Sequence, residues 1–131
     1  MEPINLVKLS PEALVTGLLT MVNQYKILHW QTTSFSQHKA FDGIFGDLNG
    51  LVDDFVETYM GKYGRVFATG SFGVTMDNYA KVNCIALTDS YIKFLTEKLP
   101  TAVTPKDTDM LNIRDEMLGK LNQLKYLLTL A

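Results

Sequence analysis

Between Leu28 and Glu57 the chain reads LHWQTTSFSQHKAFDGIFGDLNGLVDDFVE, and no other stretch limits the architecture as much. It holds both histidines of the chain, its single tryptophan, and carboxylates at regular intervals. Asp42 follows His38 by four residues, and Glu57 follows Asp53 by four. On a helix such pairs stack one turn apart on one face, as two side chains must to hold one metal ion. Phe41, Phe45, Leu48, Val52, Phe55, Val56 and Tyr59 recur at three- and four-residue steps through the same stretch. The period predicts a helix from about Gln37 to Tyr63, with Ser36 as its cap.

The two pairs cannot meet within one straight helix. His38 and Asp53 lie roughly 22 Å apart at the standard helical rise. A second copy of the helix, laid antiparallel, removes the difficulty. The indices 38 and 57 have the same sum as 42 and 53. A two-fold axis between Asp47 and Leu48 therefore sets His38 and Asp42 opposite Asp53 and Glu57 of the partner, twice over. Gly43, Gly46 and Gly50 share that side of the helix, each costing it about 1 kcal/mol relative to alanine. Close approach of another helix, the partner's included, is the expected return. Asp47 and Asp54 point away and read as solvated charges.

The rest of the chain is also helical in pattern. Ser10-Pro11-Glu12 is a helix start: a capping hydroxyl, a proline suited to the first position, and an acid at the positive end of the dipole. Val15, Leu18, Val22, Tyr25 and His29 form the stripe that follows. His29 closes that stripe and so faces inward, either as a core histidine bonded to a carbonyl or, given the second histidine and the carboxylates, as a ligand. Gln31 to Ser36 reads as a connection. GRVFATGSFG, from Gly64, lacks the Gly-Lys-Ser/Thr ending of a phosphate loop, and its Val66, Phe67, Phe72 and Val74 suit covering a helix face or a dimer contact. A third helix is expected from about Asn78 to Leu99, its turns marked by Tyr79, Val82, Ala86, Asp89, Ile92 or Lys93 and Leu95 or Thr96, and ended by Pro100. A fourth begins at Asp107 or Thr108 and carries Leu111, Arg114, Met117 or Leu118, Leu121, Leu124 or Lys125, and Leu128.

With 131 residues, 47% of them apolar and 20% charged, the chain reads as a single domain spanning 1–131. A net charge of −2 argues against binding nucleic acid by bulk charge. No apolar run reaches the ~18 residues of a membrane span. Cys84 is alone, so a reducing, cytoplasmic setting is expected.

Two imidazoles and three carboxylates suit Fe²⁺, Mn²⁺ or Zn²⁺, and no thiolate stands near them. The pattern His29-Trp30, Phe35, His38, Asp42, Asp53 and Glu57 resembles the Dps miniferritins, and YGRVFATGSFGVT resembles their crossover with its short helix. The His29-to-His38 interval is shorter than in that family, and its basic N-terminal tail is missing. The resemblance implies an all-α, ferritin-like four-helix bundle with a long crossover between the second and third helices. It implies a ferroxidase centre with His29, His38 and Asp42 from one subunit, Asp53 and Glu57 from its two-fold mate, and Trp30 close by. It further implies Fe²⁺ oxidised by O₂ or peroxide, iron storage or detoxification in oxidative stress, and a homo-oligomer built from that dimer into a dodecameric shell. The alternative is a ferritin-like structural or interaction protein that has lost this chemistry.

Overall fold

A computed structural model describes residues 7–130, and among these every regular element is helical. Four helices share one apolar core: α1 (Pro11–Gln31), α2 (Phe35–Tyr63), α3 (Cys84–Lys93) and α4 (Thr108–Leu127). No described helix is long and apolar enough to cross a membrane.

The start of α1 follows its sequence signal. Ser10 is extended and its Oγ accepts from the Ala13 N–H at 3.1 Å, with Pro11 inside the first turn. Leu14, Leu18, Met21, Tyr25 and Leu28 are fully buried along one side, as a 3.6-residue period requires. The helix turns after Gln31 through only three residues. Ser34, not Ser36, caps α2, accepting from the Gln37 N–H at 3.3 Å, so α2 begins two residues earlier than its apolar pattern suggests. Phe41, Leu48, Val52, Phe55 and Tyr59 of its predicted stripe are buried, whereas Phe45 and Val56 sit at the edge. Gly64, with φ 93°, ends α2 in the left-handed region that glycine enters without steric cost.

Residues 64–78 cross back without regular secondary structure to a short 3₁₀ turn, Tyr79–Lys81. Val66 packs on the core, while Phe67 is largely exposed and Phe72 and Val74 are partly so, outside the core cluster. The crossover is tied to α1 at both ends. Thr69 donates to Glu12, and the Gln24 amide holds both the N–H and the C=O of Asp77, at 2.7 and 2.9 Å.

The third helix is not continuous from Asn78 to Leu99. Asn83 recaps the chain after the 3₁₀ turn, its side chain accepting from the Ala86 N–H at 3.0 Å. The helix then widens to a π turn over Phe94–Lys98 and tightens to a 3₁₀ turn over Leu99–Ala102, so Pro100 lies inside the last turn. Thr88, Leu95 and Leu99 supply its buried face, while Asp89 points out to Lys125 at 2.7 Å. The π turn has a visible counterpart on α1. A Cβ on Gly17 would lie 2.5 Å from Cζ of Phe94, so glycine is what lets this ring lie against α1. Gly17→Ala is expected to lower stability by about 1 kcal/mol net, overpacking outweighing the helix-propensity gain. Urea unfolding checks this, and a stabilised variant contradicts it.

Asp107 begins α4 and its side chain is 1% exposed, yet it makes no capping bond to its own helix. Its carboxylate accepts from Lys62 Nζ and Tyr63 Oη at the end of α2, and from the Thr104 N–H at 2.8 Å. These bonds, that to Lys62 first, hold its pKa well below the usual carboxylate range. The contact fastens the end of α2 to the start of α4, which then run side by side.

Candidate metal centre

His29 and His38 face each other where α1 turns into α2. Their rings stack with centroids 3.9 Å apart and planes 19° from parallel. Each ring is tied to the other residue's backbone: His29 Nδ1 donates to the His38 carbonyl at 2.8 Å, and His38 Nδ1 to the His29 carbonyl at 2.9 Å. A carbonyl oxygen only accepts, so both Nδ1 atoms carry a proton, and in the neutral form each ring offers its lone pair at Nε2. This is the tautomer that a histidine ligand held by a backbone carbonyl presents to a metal. It is also the bond expected of a core histidine with no ligand role.

Asp42 completes this half of the pattern. Its Oδ1 lies 3.9 Å from His29 Nε2, within the ~4 Å that two donors each about 2.1 Å from a common ion can span. The His29 side chain is 11% exposed and that of Asp42 61%, so the pair opens outward at the surface of α2. His29, His38 and Asp42 do not bring three donor atoms within 4.8 Å of one another. The reason is mechanical: each imidazole is tethered at Nδ1 to the facing helix, which sets where its Nε2 points.

Phe35 stacks on His38 at 6.4 Å, and Lys39 Nζ lies 5.7 Å from the Phe35 ring. Trp30 is 66% exposed and lies under Lys26, whose ammonium is 5.6 Å from its ring and 4.5 Å from that of Phe45. The corner therefore shows two large aromatic surfaces to solvent, Phe35 being 74% exposed.

Asp53 and Glu57 do not join the histidines within the chain. They gather further along α2 with Asp54, three exposed carboxylates whose oxygens lie within 4.8 Å of one another. Asp54 lies, as its spacing requires, on the side of Asp47, bordering the same groove, and still brings an oxygen within 4.8 Å of the other two. The charge of Asp53, above all, pushes the Glu57 carboxyl pKa up. Asp47 is not simply solvated either, since Lys120 Nζ of α4 comes within 3.8 Å of it. A Cβ at Gly43, Gly46 or Gly50 would meet nothing within 4 Å, so no helix of the same chain uses the room these glycines leave.

Residues 29–128 match the model of a family of unknown function, DUF5856, and the chain belongs to that family. All five candidate ligands fall in the matched segment, which begins at His29. A relative in Enterobacteria phage T4, an uncharacterized 14.6 kDa protein in the mobD-ri intergenic region, is 29% identical over 118 residues, covering 87% of this chain and 84% of that protein. No solved structure matches.

Proposed function

We propose that this protein is a Dps-like, ferritin-like iron-binding protein that takes Fe²⁺ as substrate at a site shared between two copies of the chain. His29, His38 and Asp42 of one copy hold the ion together with Asp53 and Glu57 of the other. Electrons pass from Fe²⁺ to O₂ or peroxide, and the ferric product is stored or rendered harmless. The observation that carries this reading is the reciprocal clasp of the histidines, which uses both Nδ1 atoms and leaves both Nε2 atoms for a ligand, with Asp42 3.9 Å from one of them. The face of α2 supports the pairing. Gly43, Gly46 and Gly50 leave room along its middle, and Lys39 stands towards one end with Asp53 and Glu57 towards the other. Antiparallel pairing brings these opposite charges together. The partner also supplies the donors that the histidine corner lacks. The chemistry of the set, imidazole and carboxylate without thiolate, suits Fe²⁺, with Mn²⁺ and Zn²⁺ as competitors.

The same clasp favours a second reading, an interaction protein without metal chemistry. Two Nδ1–H bonds between α1 and α2 fix a helical corner whether or not an ion follows, and the exposed Trp30 and Phe35 would then be its docking surface.

Trp30 separates the two. It adjoins His29 and is the only tryptophan, so its emission reports on this corner alone. Anaerobic Fe²⁺ is expected to quench it in a saturable way, with Zn²⁺ competing. Unchanged emission at saturating Fe²⁺, with no bound metal after gel filtration, contradicts the iron reading and leaves the interaction protein.

A further inference from the structure

Tyr79 lies at the far end of the crossover, more than forty residues from either histidine in sequence, yet it touches the neighbour of each. Its backbone N–H donates to Gln31 Oε1 at 2.7 Å, two residues after His29. Its hydroxyl donates to Gln37 Oε1 at 2.7 Å, one residue before His38. Gln37 Oε1 also accepts from Thr32 Oγ1 at 2.7 Å, so one amide oxygen joins the α1–α2 link, the first turn of α2 and the crossover. The Gln31 amide donates in turn to Asn78 Oδ1 at 2.9 Å, and the buried Gln24 fixes Asp77 just before it. The end of the crossover is thus locked in place before it reaches the corner.

We infer that Tyr79 is a positioning residue for the histidine pair, acting through Gln31 and Gln37; its part in metal binding rests on the iron reading above. The reciprocal imidazole bonds demand one relative placement of the end of α1 and the start of α2. A sliding or rotation of about 1 Å stretches an N–H···O bond of 2.8 or 2.9 Å beyond its useful range. The three-residue link does not by itself fix that placement. Tyr79 fixes it by holding both sides from outside. Groups bonded directly to a metal-ligating histidine typically alter metal affinity by about 10–100-fold when removed, and Tyr79, one bond further out, belongs at the low end of that range.

The test uses the metal-free full-length protein and its Zn²⁺ complex. In wild type, the Nδ1–H protons of His29 and His38 are expected as slowly exchanging downfield NMR signals. Tyr79→Phe keeps the ring and removes only the hydroxyl bond; it is expected to speed the exchange of the His38 proton by about tenfold or more and to weaken Zn²⁺ binding by about tenfold. Gln37→Met, which loses both acceptor bonds, should do the same. Gln37→Glu keeps an oxygen for both hydroxyls and should retain slow exchange. Thermal melts establish that all variants are folded at the temperature of measurement. Wild-type exchange and wild-type Zn²⁺ affinity in both Tyr79→Phe and Gln37→Met overturn the inference. Faster exchange in a protein that never binds Zn²⁺ upholds the positioning role and overturns the metal reading instead.

Discussion

Replacing Asp107 with alanine is expected to lower the melting temperature by about 5–10 °C, among the largest effects of any single side chain away from the apolar core. The carboxylate is 1% exposed and serves four donors from three residues: Lys62 and Tyr63 at the end of α2, and the N–H and hydroxyl of Thr104 in the turn before α4. Removing it leaves the turn amide unpaired and unfastens the two helices. Lys62 is half-exposed and can turn to water, which keeps the effect below that of a fully buried charge pair. Asp107→Asn should lose about half as much, because one amide oxygen can still meet Thr104 but cannot serve Lys62 and Tyr63 as well. The pH dependence has a definite sign. The native-state pKa of Asp107 is depressed, so its stabilisation is fully present above the ordinary aspartate pKa of about 3.9 and fades as pH falls through the native value. The gap between wild type and Asp107→Ala should be constant from neutral pH to about pH 5 and narrow only below about pH 4. A gap that closes between pH 5 and 7 contradicts the assignment.

Two inactive variants are expected to restore one another. A chain with His38→Ala and Asp42→Ala keeps the acidic half of the proposed site, and a chain with Asp53→Ala and Glu57→Ala keeps the histidine half. Asp42 and Asp53 are about 16 Å apart along one helix, so a shared ion cannot form within a chain. Each variant alone should fail to oxidise Fe²⁺. Unfolded together and refolded, half of randomly formed dimers are mixed, and each mixed dimer has one intact site of two. Activity should therefore return to about a quarter of wild type. A mixture that assembles but stays as inactive as its parents places the chemistry within one chain, or nowhere on α2.

The helices were legible in the sequence because apolar period and capping chemistry agree locally. Ser10-Pro11-Glu12 and the stripe through Tyr25 foretell α1, and Gly64 its counterpart at the end of α2. The third helix was not, because its break and its widened turn depend on tertiary partners. Asn83 caps a helix that the periodicity carries straight through, and the Phe94 turn fits against Gly17 from a helix far away in sequence. Spacing brought His38 and Asp42 to one face and the apolar stripe turned His29 inward, and these three residues do gather at one corner. Spacing could not show that each imidazole would be tied to the other helix's carbonyl. Nor could it show that an oxygen of Asp54 would come within 4.8 Å of Asp53 and Glu57. Asp107 looked like a cap and is instead a tertiary clasp. Its partners at positions 62 and 63 carry no periodic signal that links them to it.

The central claim is that Fe²⁺ is oxidised at His29, His38, Asp42, Asp53 and Glu57. The direct measurement is anaerobic loading of the protein with Fe²⁺ followed by O₂ or peroxide, recorded as ferric absorbance in wild type and in the His38→Ala, Glu57→Ala double variant. A rapid rise in wild type, with the double variant reduced to the rate of iron in buffer alone, is the predicted result. Identical traces from the two folded proteins contradict the account.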